Sequence, residues 1–426
     1  MTPALLLAMA ASPAPSGIAW LHDDWPTART RAIEAKKWVA VDVWATWCHS
    51  CLSMKNFVLT EPPLTQVKDQ HVYLQLDYDL EKNASFFEKF PISVFPTFLV
   101  IDPRKETVVA RWAGSGSAEQ MASFFAHAKL GETPDAVARA QAAILQGNHE
   151  TGRQILETAL ADKALRPADR SRLSVAWAEL MYDSDKKACA QKAPALLRDL
   201  PPDVGAIDTT CLIAYCALGL DKGTADRTHA LSEIRGFIEK LLARDLEVEV
   251  DDRSSLYGTL VEVLDALGDD QAARKATEAR LALLEKAASM AKTPKARATF
   301  DYHRLEGYLR LGRHQKALEM LQASERAQPN DFNHPWRIAL VHLNAGRPKE
   351  GLEAIERALA RGYGGRKLRL YSTKIDLLLA AKDHKAARAT FREAVAKLAE
   401  MPAAQVRPGW RAELLEKEGL LSPPGT

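Results

Sequence analysis

Two cysteines three positions apart carry the strongest chemical signal in the chain. They are Cys48 and Cys51, in the string WATWCHSC from Trp44 to Cys51. The pair directly follows a strand-like apolar run, VAVDVW, and opens a helical pattern. In that context a C-x-x-C reads as a redox motif. A cysteine at the start of a helix meets the positive end of the helix dipole and unpaired backbone N–H groups. Both favour thiolate, which makes Cys48 the nucleophile near neutral pH. Cys51 lies one helical turn further on, close enough to form or break a disulfide with Cys48.

Two other uses of this spacing compete. Zinc usually needs four ligands, typically from two such pairs. No second C-x-x-C exists, and Cys189, Cys211 and Cys216 sit far away in helical sequence. No metal and no other cofactor is therefore expected. A passive structural disulfide would be oddly placed at a strand-to-helix turn. His49, inside the motif, is read as an exposed tuner of Cys48 and not as a ligand. The three distant cysteines read as small core residues. Cys211 and Cys216 are about 140° apart around a helix and cannot easily pair with each other. Cys189 could bridge to either one if the protein is exported.

The elements that must position the pair can be read from the pattern. Strand-like runs cover 37–46, 71–76, 98–101 and 107–112, the last two joined by the turn-like DPRKE. Helical patterns cover 26–36, 50–59, 81–90 and 117–130, the first with Pro26 at a favourable initial position. The order helix, strand, helix, strand, helix, strand, strand, helix predicts an α/β layer fold around a central sheet.

With these residues in place, the segment 18–130 resembles the thioredoxin-like thiol:disulfide oxidoreductase family. The string VDVWATWCHSC looks like the active-site signature of that fold. Asp42 matches its buried acid, and Trp44 and Trp47 match its two active-site tryptophans. In SVFPTFLV, Pro96 followed by Thr97 matches the loop whose proline is cis and faces the cysteine pair. Gly114 stands where the family has a glycine before its last helix. The closest likeness is to the C-terminal thioredoxin-like domain of the membrane reductase DsbD, through TEPPL and through Gln75 near the acid. The dipeptide His49-Ser50 departs from Gly-Pro and Val-Ala, and Val94-Phe95 departs from the usual residues before the proline. Potentials across the family span more than ~100 mV, so the direction of electron flow does not carry over.

The resemblance implies a mechanism. Cys48 attacks a client disulfide, Cys51 resolves the mixed disulfide, and Asp42 serves Cys51 as general base. Trp47, His49, Phe95, Pro96 and Thr97 would form the substrate groove, where the backbone of Phe95 pairs with the client as an added strand. A lone carboxylate in a run as apolar as VAVDVW is costly without such a role. The implied partners are client proteins with disulfides or thiols and an upstream redox partner.

After Gly131 the strand signals nearly vanish. The chain becomes Ala- and Leu-rich, with helical periodicity and internal repeats. Tight turns recur at Gly147, Gly268, Gly312, Gly346 and Lys382. Five positions after each stands a small residue: Gly152, Ala273, Ala317, Gly351 and Ala387. A large residue usually follows four positions later, as with Leu156, Leu321, Ile355 and Phe391. Such hairpins cannot bury their own apolar faces alone, so neighbours must stack. The pattern resembles a degenerate tetratricopeptide-repeat (TPR) array over 134–415, followed by a tail at 416–426. Its expected role is to recruit clients or a partner. The competing reading makes the array an interaction scaffold and the first domain secondary or regulatory. Trp336 and Tyr371 read as helix-packing aromatics, and His314 and His384 as solvated turn residues.

Composition limits the remaining classes. The 426 residues are 47% hydrophobic and 26% charged, which excludes wholesale disorder. Lys plus Arg number 57 against 55 acidic residues, so the basic footprint of a nucleic-acid binder is missing. No stretch approaches the ~20 apolar residues that span a bilayer. Residues 1–17, MTPALLLAMAASPAPSG, look like a short export signal without its usual basic start. An extracytoplasmic location is expected, with a cytoplasmic one as the alternative.

Overall fold

The computed structural model describes residues 17–128 and 134–421. The export segment, apart from Gly17, and the composition change at Gly131 lie outside the described residues.

The N-terminal domain comprises β1 (Trp20–His22), α1 (Trp25–Ala35), β2 (Val39–Trp44), α2 (His49–Ser53), β3 (Val72–Asp77), α3 (Ala84–Lys89), β4 (Thr97–Asp102), β5 (Thr107–Ala113) and α4 (Ala118–His127). The strands form one sheet in the order β1-β3-β2-β4-β5. Strand β3 is parallel to β1 and β2, whereas β4 is antiparallel to β2 and β5. Central β2 is covered on both faces, which is why it reads as a continuous apolar run and not as an alternating one. The expected helix 50–59 is divided: α2 is α-helical, and Met54–Val58 continue as a π turn. The TEPPL segment becomes part of a 3₁₀ turn, Pro62–Gln66.

From Ala136 to Leu421 the described chain is a succession of α-helices. The final helix, Pro408–Leu421, runs into the stretch read as a tail. The repeat turns share one backbone solution. Gly147, Gly268, Gly312 and Gly346 all have positive φ, between 68° and 81°. Lys382 takes the same left-handed conformation at φ 62°, which a side chain tolerates only at some cost. The small residues five positions on are all buried. Leu156, Leu321 and Ile355 are fully buried, whereas Phe391 is half-buried. Trp336 and Tyr371 are core residues. No helix among the described residues is long and apolar enough to cross a membrane.

The array grips the N-terminal domain from several sides. Glu179 makes a buried bidentate pair with Arg111 at 3.0 Å and accepts a hydrogen bond from Ser93. Asp203 accepts from Gln120 at 2.8 Å, and Thr299 accepts from Asn56 at 3.0 Å. Towards the C-terminus, Gln405 donates to the carbonyls of Tyr78 and Leu80 at 2.6 and 2.7 Å. Gly364, at φ 58°, passes so close to Asp79 that a Cβ there would lie 2.1 Å from its carbonyl oxygen. Only glycine permits that approach.

Candidate functional site

Strand β2 ends at Trp44, and the chain turns through Thr46 and Trp47 to Cys48, the N-cap of α2. The Cys48 sulfur accepts from the Cys51 N–H at 3.1 Å and is joined to Cys51 by a disulfide. Both are buried, Cys48 at 5% exposure and Cys51 at 1%. Register places Asp42 beside Gln75 of β3 and Phe98 of β4. Gln75 donates to Asp42 at 3.0 Å. Burial raises the Asp42 carboxyl to about 6, against the opposing pull of Lys55 and Gln75. Lys55 comes from the π turn, with its ammonium 3.2 Å from the centre of the Trp44 ring.

The Phe95–Pro96 bond is cis. Pro96 and Thr97 are buried, and the Thr97 hydroxyl donates to the Val94 carbonyl at 2.7 Å. Trp47 packs edge-on against Phe95 and against Trp410 of the last helix, with centroids 5.3 Å away in each case. Of the expected groove residues, Trp47 and Phe95 therefore meet beside the Pro96–Thr97 turn, and the array covers part of this place, whereas His49 lies elsewhere. Arg366 lies between Trp47, Trp336 and Trp410, at 4.6–5.2 Å from their centroids. Arg407 stacks on Phe95 at 5.2 Å.

Beneath this lid lie two acids that sequence reasoning missed. Asp79 accepts from the Trp47 indole at 2.6 Å and from the Arg366 backbone at 3.3 Å. Asp77 accepts from the Tyr363 hydroxyl at 2.7 Å. Burial raises Asp77 to about 6 and Asp79 to about 7, the latter also through the neighbouring charge of Asp77. Burial lowers Arg366 to about 9, helped by Arg369. The available signal was LDYD, two acids closing a buried strand.

On the other side the motif opens onto a cavity of about 610 Å³ between the two domains. Its walls include His49, Ser50, Phe95 and Ser115 from the first domain, and Asp208, Cys211, Asp252, Arg280 and His303 from the array. That volume is typical of a ligand site. Asp208 accepts from the Ser115 N–H at 3.0 Å, and burial raises its carboxyl to about 7. Cys211 is the free cysteine; burial pushes its thiol up to about 12, so it stays protonated. Cys189 and Cys216 form a buried disulfide, one of the two pairings left open by the sequence.

His49 departs from its expected exposed position. Its side chain is 26% exposed, and Nδ1 lies 2.8 Å from Asp251 Oδ2 in the array. The ring faces His303, with centroids 4.0 Å apart. His49, Asp251 and His303 each offer one ligand-type atom, and these atoms all lie within 4.8 Å of one another. His314 is half-buried in its turn and its Nε2 lies 2.7 Å from Asn344 Oδ1.

Residues 19–103 match the family described as thioredoxin-like. Among solved structures, similarity extends to a tetratricopeptide repeat protein from Parabacteroides merdae. It has 12% identity and TM-score 0.39, over 66% of this chain and 96% of that one. Similarity also extends to BtubC (BKLC) from P. vanneervenii, with 15% identity and TM-score 0.36 over 58% and 96% of the two chains. None of the curated proteins matches the chain. The chain joins a thioredoxin-like domain, carrying a Cys48–Cys51 pair, to an array of α-helices with recurring turns.

Proposed function

We propose that this chain is a protein thiol–disulfide oxidoreductase whose array controls which clients reach the redox pair. The observation that carries the reading is the Cys48–Cys51 pair at the end of β2, near buried Asp42, beside a cavity shared with the array. In the reducing direction, Cys48 thiolate attacks one sulfur of a client disulfide and releases the other as thiolate. Cys51, its proton taken by Asp42, attacks the Cys48 sulfur and releases the second client thiolate. Two electrons pass to the client, and the Cys48–Cys51 disulfide remains for an upstream thiol partner to reduce. Oxidation of clients is the reverse sequence.

Phe95, Pro96 and Thr97 would set the strand-like contact with the client, and Trp47 and His49 its edges. The array selects by recruitment and by access: a client segment must enter the cavity or displace the Trp410 side of the lid. The buried Cys189–Cys216 disulfide supports an oxidising, extracytoplasmic compartment. The test is reduction of a small aromatic disulfide and of insulin by a reduced thiol donor. Turnover by the wild type that Cys48→Ser abolishes supports the reading; equal rates for both overturn it.

A further inference from the structure

His49, Asp251 and His303 arrive from three separate elements. They lie in α2 and in the array helices Val250–Ala266 and Asp301–Arg310. One ligand-type atom from each lies within 4.8 Å of the others. The Asp251 side chain is fully buried and His303 nearly so.

The proton positions around His303 follow from its neighbours. Arg280 Nε donates to Ser254 Oγ at 3.0 Å. The single Ser254 proton is then free to point at His303 Nδ1, 2.9 Å away. With Nδ1 as acceptor, the neutral ring carries its proton on Nε2. Asp251 Oδ1 lies 3.6 Å from this Nδ1 and has no hydrogen-bond partner. Two lone-pair groups thus face each other in a buried place. Bare buried carboxylate oxygens need an explanation, and an ion is one of the usual ones.

The spacing fits a cation. Zinc holds imidazole nitrogen and carboxylate oxygen at about 2.0–2.2 Å, which sets tetrahedral ligands about 3.3–3.6 Å apart. The Nδ1–Oδ1 separation equals such an edge. A cation would take Nδ1 in place of the Ser254 proton and would also draw in His49, already 2.8 Å from Asp251 Oδ2. Two imidazoles with one carboxylate suit a first-row transition ion, not calcium or magnesium, which prefer oxygen ligands. Asp208 and Asp252 line the same cavity, and burial raises both carboxyls.

We propose that His49, Asp251 and His303 bind a divalent ion of the zinc class that ties the redox motif to the array. His49 and His303 both line the cavity, so the fourth coordination position faces it and takes water or a substrate donor atom.

The test uses the full chain with both disulfides intact, stripped by a chelator and titrated with Zn²⁺ alone and with Co²⁺ alone. Calorimetry should give one ion per chain, and the Co²⁺ spectrum should lack a thiolate charge-transfer band. His49→Ala and His303→Ala should each weaken binding more than about tenfold. His49→Ala changes a partly exposed side chain, and its fold is verified by circular dichroism. Failure to bind either ion overturns the site. So does binding that both variants leave unchanged, or a thiolate band, which would place the ion on Cys211. None of these readouts depends on turnover.

Discussion

Trp47, directly before Cys48, stands edge-on to Trp410 in the helix Pro408–Leu421, with ring centroids 5.3 Å apart. The first and last parts of the chain therefore meet at the redox pair. Arg366 and Arg407 fill the space around the two indoles. This contact makes the array part of the surface around the Cys48–Cys51 pair.

Trp410→Ala should loosen that lid. Trp410 is 8% exposed, and truncating a buried Trp typically costs about 3–5 kcal/mol. Insulin reduction should speed up severalfold, because a folded client needs the groove beside Phe95 and Pro96. Reduction of a small aromatic disulfide, which fits the cavity, should change less than about twofold by the same assay. Parallel effects on both substrates would show that the lid does not discriminate by size.

Cys51→Ser removes the resolving thiol and leaves Cys48 able to attack, so mixed disulfides should accumulate. Trapping from an extract with the full-length variant should yield a narrow set of small or extended clients. Mass spectrometry of the captured species checks this. A broad set of large folded proteins would mean that the array excludes nothing.

Asp42 gives a pH signature with a defined sign. Its carboxyl is raised from 3.8 to about 6 in the folded protein. Between these values the native state keeps a proton that the unfolded chain has lost. Stability contributed by this group therefore falls as pH rises from about 4 to 6 and is flat above that. The loss is of the order of 3 kcal/mol at one decade per 1.36 kcal/mol. Asp42→Asn should flatten this part of the stability profile and raise the midpoint of denaturation at pH 7. It should also slow resolution of the mixed disulfide more than attack by Cys48, as stopped-flow thiol release would show. A variant as fast as the wild type in both steps would make Asp42 purely structural.

The Cys189–Cys216 bridge closes a loop of sequence separation 27 within the array. Loop-closure entropy for that length corresponds to about 3–4 kcal/mol. Cys216→Ala should lower stability to denaturant by that order while leaving the Cys48–Cys51 reduction potential unchanged. A shift in that potential would reveal coupling between the two disulfides.

The N-terminal domain was legible because its signals are local. A C-x-x-C between a strand and a helix, and a proline loop after a buried run, need no distant partner to be recognised. Strand β1 escaped because three partly exposed residues, Trp20–His22, carry no period of their own. The repeat turns were legible for the same local reason, even at Lys382, where the left-handed backbone is kept without glycine. The lid was not legible. Asp79 is satisfied by Trp47 and Arg366, and Tyr78 by Ala404, and nothing in either segment names the other. His49 looked exposed because its partner, Asp251, lies 202 positions away.

The wrapping of the array around the first domain also orders events in time. The thioredoxin-like domain leaves the ribosome before the helices that pack against it. Until the last helix arrives, Trp47 has no Trp410 against it, and the cysteine pair is open to any oxidant or thiol nearby. Arrival of the helix Pro408–Leu421 ends that window. If the array governs access as proposed, the newborn protein is a less discriminating reagent than the one in which Trp410 has docked.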